Sequence, residues 1–205
     1  QDVAYARELG YSIKHLGMAR QTEAGVELRV HPTLVPERSL IAGVNGVSNA
    51  VMVNADAVGT TLFYGPGAGA EPTASSVIAD VVDVARLMDS DSDSRVAPLG
   101  RSCEQLKAQK ILDIQDVETG FYIRFSALDQ PGVLSNITKI MGDAGISIEA
   151  IIQREQPAGE RYVNVIILTN VTKEKCLDEA VAYIEQLETV RGQVNFIRVE
   201  YLDQH

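Results

Sequence analysis

Tryptophan is absent from these 205 residues, and phenylalanine occurs only four times. So few aromatic rings leave no stacking platform for single-stranded nucleic acid. Basic residues are also in short supply: 18 lysines and arginines stand against 28 acidic residues, a formal charge of -10. An acidic chain without a basic stripe lacks the electrostatic footprint of a nucleic-acid binder and has no attraction for an anionic membrane. Cysteine is limited to Cys103 and Cys176, far apart and without CxxC or Cys/His spacing. That argues against a disulfide framework and a zinc site, and fits a reduced cytoplasmic setting. No long apolar run is present either. The most apolar stretch, IAGVNGVSNAVMVNADAV, is broken by asparagines and an aspartate, so it is not a membrane span. The chain opens QDVAYARELGY, with neither an initiator methionine nor a charged-then-apolar leader, and is expected to be a fragment of a longer protein.

What is present reads as α+β. After a short helix, Ser12–Arg20 and Val26–Val35 alternate like two strands about the polar turn Gln21–Gly25, with more strand material in Val51–Phe63. From Pro72 the spacing turns helical. Thr73 or Ser75 can cap that helix, and Val77, Ile78, Val81, Val82, Val84 and Ala85 form an apolar surface broad enough for a largely buried helix. LMDSDSDSRVAPLG follows, a polar run that cannot bury apolar area and that ends in proline and glycine. It lacks the glycine and terminal glutamate of a calcium loop. The expected division is therefore a partial α/β domain with a mixed sheet over 1–88, a linker over 89–118, and a second domain over 119–205.

In that second domain Phe121, Ile123 and Phe125 alternate with Tyr122 and Arg124 as a half-buried strand. Val133, Leu134, Ile137, Ile140, Met141 and Ala144 share one helical face, which Gly145 ends. Strands follow at Ile146–Ile152 and Val163–Ile167, joined by the turn QPAGER. A helix capped by Thr172 carries Cys176, Ala180, Ile184 and Leu187, and Val194–Tyr201 closes as a strand. The order βαββαβ is the ferredoxin-like arrangement. With both helices on one sheet face, the other face is expected to be bare and to drive homo-oligomer formation.

Two stretches could carry chemistry. In DQPGVL, Asp129 precedes a helix, Pro131 suits its entry and Gly132 clears space above free amides. Such amides attract an anion, including the carboxylate of a free amino acid; an ordinary strand-to-helix turn is the alternative. FYGPGAGAEPT places glycines at 65, 67 and 69 before a helix, where backbone can approach a ligand. It is not GxGxxG, and no ribose-reading acid can be placed after it, so on local grounds a tight turn is the better reading. His31 before Pro32 reads as structural, and His15 and His205 have no ligand spacing. No metal site is expected.

In context both stretches resemble known families. FYIRFSALDQPGVLSNITKIMGDAGISIEAIIQ resembles the ACT domain, a small module that binds amino acids, over about Phe121–Gln204. YARELGYSIKHLGMAR, VELRVHPTLVP, GVSNAVMVNADAVG and FYGPGAGAEPTASSVIADVVDVAR look like the end of the catalytic region of bacterial homoserine dehydrogenase, whose longer members finish with an ACT domain. The resemblance implies an NAD(P)-dependent oxidoreductase of threonine and methionine biosynthesis. Its nucleotide domain, catalytic lysine and acidic groups lie upstream of Gln1, so no catalytic residue is expected here, and Lys14 is not the family's lysine. By resemblance Gly69 lies closest to the cofactor, with Gly67 and Thr73 as weaker contacts, and no cofactor should bind this chain alone. L-Threonine is the implied effector, held by Asp129, Gln130, Gly132, Val133 and Leu134, with Ile148 supplied across a dimer interface. An ACT-type oligomerisation module without ligand is the alternative.

Overall fold

The computed structural model describes residues 1–88, 100, 103–154 and 159–202. The DSDSDS run, the first half of QPAGER and His205 lie outside the described residues. The chain divides into two compact units, one made of Gln1–Ser39 with Lys110–His205, the other of Leu40–Gln109.

The first unit is one mixed sheet with helices on both faces. Helix α1 spans Asp2–Glu8, and strands β1 (Tyr11–Thr22) and β2 (Gly25–Pro36) form an antiparallel hairpin around Glu23 and Ala24. The remainder runs β5 (Glu118–Leu128), α3 (Val133–Asp143), β6 (Ile148–Gln153), β7 (Tyr162–Thr169), a two-residue β8 (Thr172–Lys173), α4 (Glu174–Glu185) and β9 (Val190–Val199). In between lie β3, β4 and α2 of the other unit, given below. Strand order is β1-β2-β9-β5-β7-β6. Its last four members are the expected ferredoxin-like sheet, all neighbours antiparallel. The hairpin extends this sheet, because β2 pairs in parallel with β9 at Thr33–Arg198 and Leu34–Val199.

Apolar residues at helical spacing explain the first core. Val133, Ile137 and Met141 of α3 and Leu177, Ala180 and Ile184 of α4 are buried on Phe121, Ile123, Phe125, Val165 and Ile167. Thr172 does not cap α4. Its backbone is taken up by the β8 pairing with Thr119, and Lys173 becomes the N-cap residue. Residues 110–118, expected as linker, are tied to the hairpin: Val26 N–H donates to the Lys110 carbonyl at 2.8 Å, and Leu112 N–H to the Val26 carbonyl at 2.9 Å.

The expectation of a bare second sheet face does not hold. Tyr122, Ile166, Leu168, Val199 and Leu34 on that face are buried with Ala6 and Tyr11, and Tyr5, Leu9 and Ile13 pack against them. The chain's own first residues cover it. Asp2 anchors α1 by accepting from the Tyr122 hydroxyl at 2.9 Å and from Arg124 Nε at 2.5 Å, and Glu8 pairs with Arg154. A short helix of seven residues is marginal alone; these ties and the apolar face underneath hold it. The Arg124 bond holds the Asp2 carboxyl below its usual range. Sequence periodicity missed this because the cover comes from residues more than a hundred positions away.

The second unit contains the hairpin β3 (Ser48–Ala55) and β4 (Gly59–Pro66), then helix α2 (Ala70–Met88). The helix is where the sequence placed it, but its expected burial is not found: Val77, Ile78, Val81, Val84 and Leu87 are all exposed. Removing residues 1–9 should strip the second core of the first unit, giving increased dye binding and self-association by light scattering. A truncated chain that stays monomeric with an unchanged melting temperature would contradict the covering role of α1.

Candidate functional site

The start of α3 is built from the turn that follows β5. Gly132 has φ +90 and ψ -17, a left-handed conformation that side chains adopt only under strain. A Cβ there would meet no atom within 4 Å, so backbone conformation and not crowding selects the glycine. Asp129 N–H donates to the Arg161 carbonyl, and Val133 N–H is taken by the Gln130 carbonyl at 3.3 Å. Among the described residues no acceptor meets the amides of Gly132, Leu134 and Ser135. Three bare donors at a helix start can hold a carboxylate. Sequence reasoning had included Val133, whose N–H is in fact used, and had missed Ser135, which the first-turn spacing could have supplied.

Asp129 carries its own partner: Gln153 at the end of β6 donates to its Oδ1 at 2.9 Å. Gln130 is exposed, with its N–H bonded to the Leu128 carbonyl. Within one chain, therefore, Asp129, Gln130, Gly132, Val133 and Leu134 come together. Ile148 does not join them. It begins β6 opposite Thr169, whereas the Asp129 loop lies beyond the Leu128–Tyr162 pair at the other end of the strands.

In the second unit the glycine loop has two separate causes. A Cβ on Gly67 would fall 1.6 Å from the Asn49 amide nitrogen, so Gly67 makes room for that side chain. Gly69 has φ +128, and a Cβ would press on the Pro72 ring at 3.2 Å. Helix α2 begins immediately afterwards, which places Thr73 inside the first turn and not at a cap. Its N–H donates to the Gly69 carbonyl at 3.2 Å. Pro72 has no N–H, so Ala70 and Glu71 supply the free amides, and Glu71 puts an acidic residue in the same first turn. A phosphate is disfavoured beside that charge, while a flat uncharged ring against Gly69 is not. Among the described residues the loop thus lacks a phosphate cradle.

A polar stripe on β2 lies outside the sequence reading. Glu27, Arg29, His31 and Thr33 point inward and are buried, while Leu28 and Val30 between them are exposed. Arg29 has no exposed side-chain surface and pairs with Glu200 at 2.5 Å and Glu27 at 3.0 Å. Arg20 reaches Glu200 at 3.0 Å, and the Thr119 hydroxyl, which donates to the Val199 carbonyl at 2.6 Å, lies 3.2 Å from the same carboxylate. On the neighbouring strand Arg198 holds Glu174 at the start of α4. The signal was an acid and a base two residues apart in VELRV.

A family profile described as homoserine dehydrogenase matches residues 1–82, and the ACT domain profile matches 121–188. The curated homoserine dehydrogenase of Pseudomonas aeruginosa is 53% identical over 98% of this chain, and that of Neisseria gonorrhoeae 48% identical over 98%. The chain belongs to the homoserine dehydrogenase family. It spans 46% of each of those two relatives and corresponds to a C-terminal portion. Among solved structures, the homoserine dehydrogenase of Thiobacillus denitrificans aligns with a TM-score of 0.88 and 53% identity, covering 97% of this chain and 44% of that one. Both halves of the family's end are present, the last part of the catalytic domain and the ACT domain. Among the described residues no helix is long and apolar enough to cross a membrane.

His31 gives the stripe a measurable signature. Its Nδ1 lies 3.0 Å from the Thr33 hydroxyl, and its buried Nε2 has no partner among the described residues. Burial first, then the Arg198 charge, hold the imidazole below its ordinary value of 6.5. The unfolded chain takes up a proton near that value while the folded chain still excludes it. The stability His31 contributes is therefore complete above pH 6.5 and lost as pH falls through the folded value. Melting temperature should fall between about pH 7.5 and about 5.5, and less steeply in His31→Gln. Equal slopes in both proteins would contradict this.

Proposed function

We propose that the protein to which this chain belongs is an NAD(P)-dependent homoserine dehydrogenase, interconverting L-homoserine and L-aspartate 4-semialdehyde in the cytoplasm on the route to threonine and methionine. The observation that carries the reading is 53% identity extending through both segments at once. A bound nicotinamide cofactor would supply the hydride chemistry that relates the aldehyde to the alcohol. This chain's part is to offer the Gly69 backbone, with Gly67 and Thr73 beside it, as one wall against the nicotinamide. The side chains that hold homoserine and move its proton are not among these residues. Hydride transfer needs cofactor, substrate and proton-transfer groups held together. The 205-residue chain supplied with homoserine and NADP should give no reduced cofactor above background, and a clear rate would overturn this assignment of parts.

The ACT segment gives the enzyme feedback control by L-threonine. The threonine carboxylate is held by the bare amides of Gly132, Leu134 and Ser135 beside Val133, and its ammonium by Asp129 or Gln130. Ile148 lies at the far end of β6 and reaches such a ligand only from a second copy, so the regulated form is a homo-oligomer. Strand β6 closes the sheet and leaves an unpaired edge for that contact. To inhibit, threonine must bind one arrangement of the protein better than another, a coupling of about 1–3 kcal/mol. Calorimetric titration with L-threonine should give saturable heat that falls about tenfold or more in affinity in Asp129→Ala. Absence of heat would favour an oligomerisation module without ligand, and equal affinity in the variant would move the effector elsewhere.

A further inference from the structure

A cleft in the first unit has a volume of 660 Å³ and lies away from the α3 start. One side comes from the α1–β1 junction and the end of β2, the other from the ACT segment. Glu37 N–H clips the two chain ends of the first side together through the Gly10 carbonyl at 2.9 Å. The volume lies within the range of small-molecule sites.

Its lining carries both signs of charge. Arg38 is exposed at one side and pairs with no acid among the described residues, while Glu37 and Glu149 supply two carboxylates. Glu149 is already oriented. The Tyr201 hydroxyl donates to its Oε2 at 3.2 Å and lies 3.1 Å from the Tyr11 hydroxyl. With the Tyr201 proton committed to Glu149, Tyr11 donates to Tyr201, so the chain of bonds ends on the carboxylate and leaves Oε1 unused. Burial raises the Tyr201 hydroxyl well above its ordinary value, which keeps it a proton donor. Val171, 61% exposed, adds an apolar surface to the lining.

One free guanidinium sharing a cleft with two carboxylates does not suit a phosphate, which the acids repel. It does not suit a bare amine either, which leaves Arg38 unmatched. It suits a molecule bearing one carboxylate and one ammonium. We propose that this cleft binds a free α-amino acid, with its carboxylate on Arg38, its ammonium on Glu149 and Glu37, and its side chain toward Val171. The site is separate from the α3 start, and the inference does not depend on the threonine reading given above. An occupant bridges segments of both matched families, so it favours the arrangement in which the hairpin ends and the ACT sheet are held together.

The test is calorimetry on the full 205-residue chain with each of the twenty common L-amino acids in turn, followed by the amino alcohol of any that binds. At least one amino acid should bind, its amino alcohol should not, and Arg38→Gln and Glu149→Gln should each weaken it about tenfold or more. Asp129→Ala should leave this binding unchanged, which separates it from the α3 site. Arg38 and Glu149 are exposed, so neither variant threatens folding; unchanged melting temperatures without ligand would establish that. Binding lost in Asp129→Ala but retained in Arg38→Gln overturns the proposal, as does an amino alcohol that binds as tightly as its parent. No binding by any of the twenty overturns it as well.

Discussion

The Arg29 guanidinium, enclosed between Glu27 and Glu200, is the constraint on which the first unit depends. It joins a hairpin near the start of the chain to the residue after the last strand, and it does so with no exposed side-chain surface. Charges removed from water are tolerated only when their partners are exact in position and number. Here two arginines meet two glutamates, although the buried Arg29 Nε has no partner among the described residues. Removing one member leaves an uncompensated buried charge, a loss of about 3–5 kcal/mol. The buried pairs accompany the register that sets Thr33 against Arg198 and Leu34 against Val199.

This register has functional weight because it makes the end of the catalytic segment and the ACT sheet a single surface. The ferredoxin-like sheet has two faces. Helices α3 and α4 cover one, and α1 with its Asp2 anchor covers the other. Any contact with a second copy is left to edges and rims, not to a sheet face. The α3 start and the acid-base cleft both lie at ends of strands. There backbone donors and charged side chains reach solvent, while the strands keep them fixed in position.

The ACT portion was legible because its information is local. Apolar residues at 133, 137 and 141 can only make a buried helix face, and the turn before them needs the left-handed glycine that Gly132 provides. The glycines at 67 and 69 were legible as a turn, though not why each is required: one yields to Asn49, the other to a positive φ. Long-range features were not legible. Nothing near Tyr122 announces that Asp2 will meet its hydroxyl, and alternation in VELRVH does not say which face turns inward. Convention places Leu28 and Val30 inside, but the charge network turns them out. Helix α2 misled for a related reason. Its apolar residues declare a buried surface without declaring what buries it, and the described residues leave it open.

The position of β9 has a consequence for biosynthesis. The hairpin of β1 and β2 is synthesised well before β9, the strand that it joins, and the Tyr11–Tyr201 hydroxyl contact spans 190 positions. Contacts this distant in sequence close slowly. At elongation speeds of about 5–20 residues per second the hairpin waits roughly 8–30 s with Arg29 and Glu27 facing water. That delay is benign for a charged surface, which stays soluble while it waits; an apolar one in the same position would be open to premature association throughout synthesis.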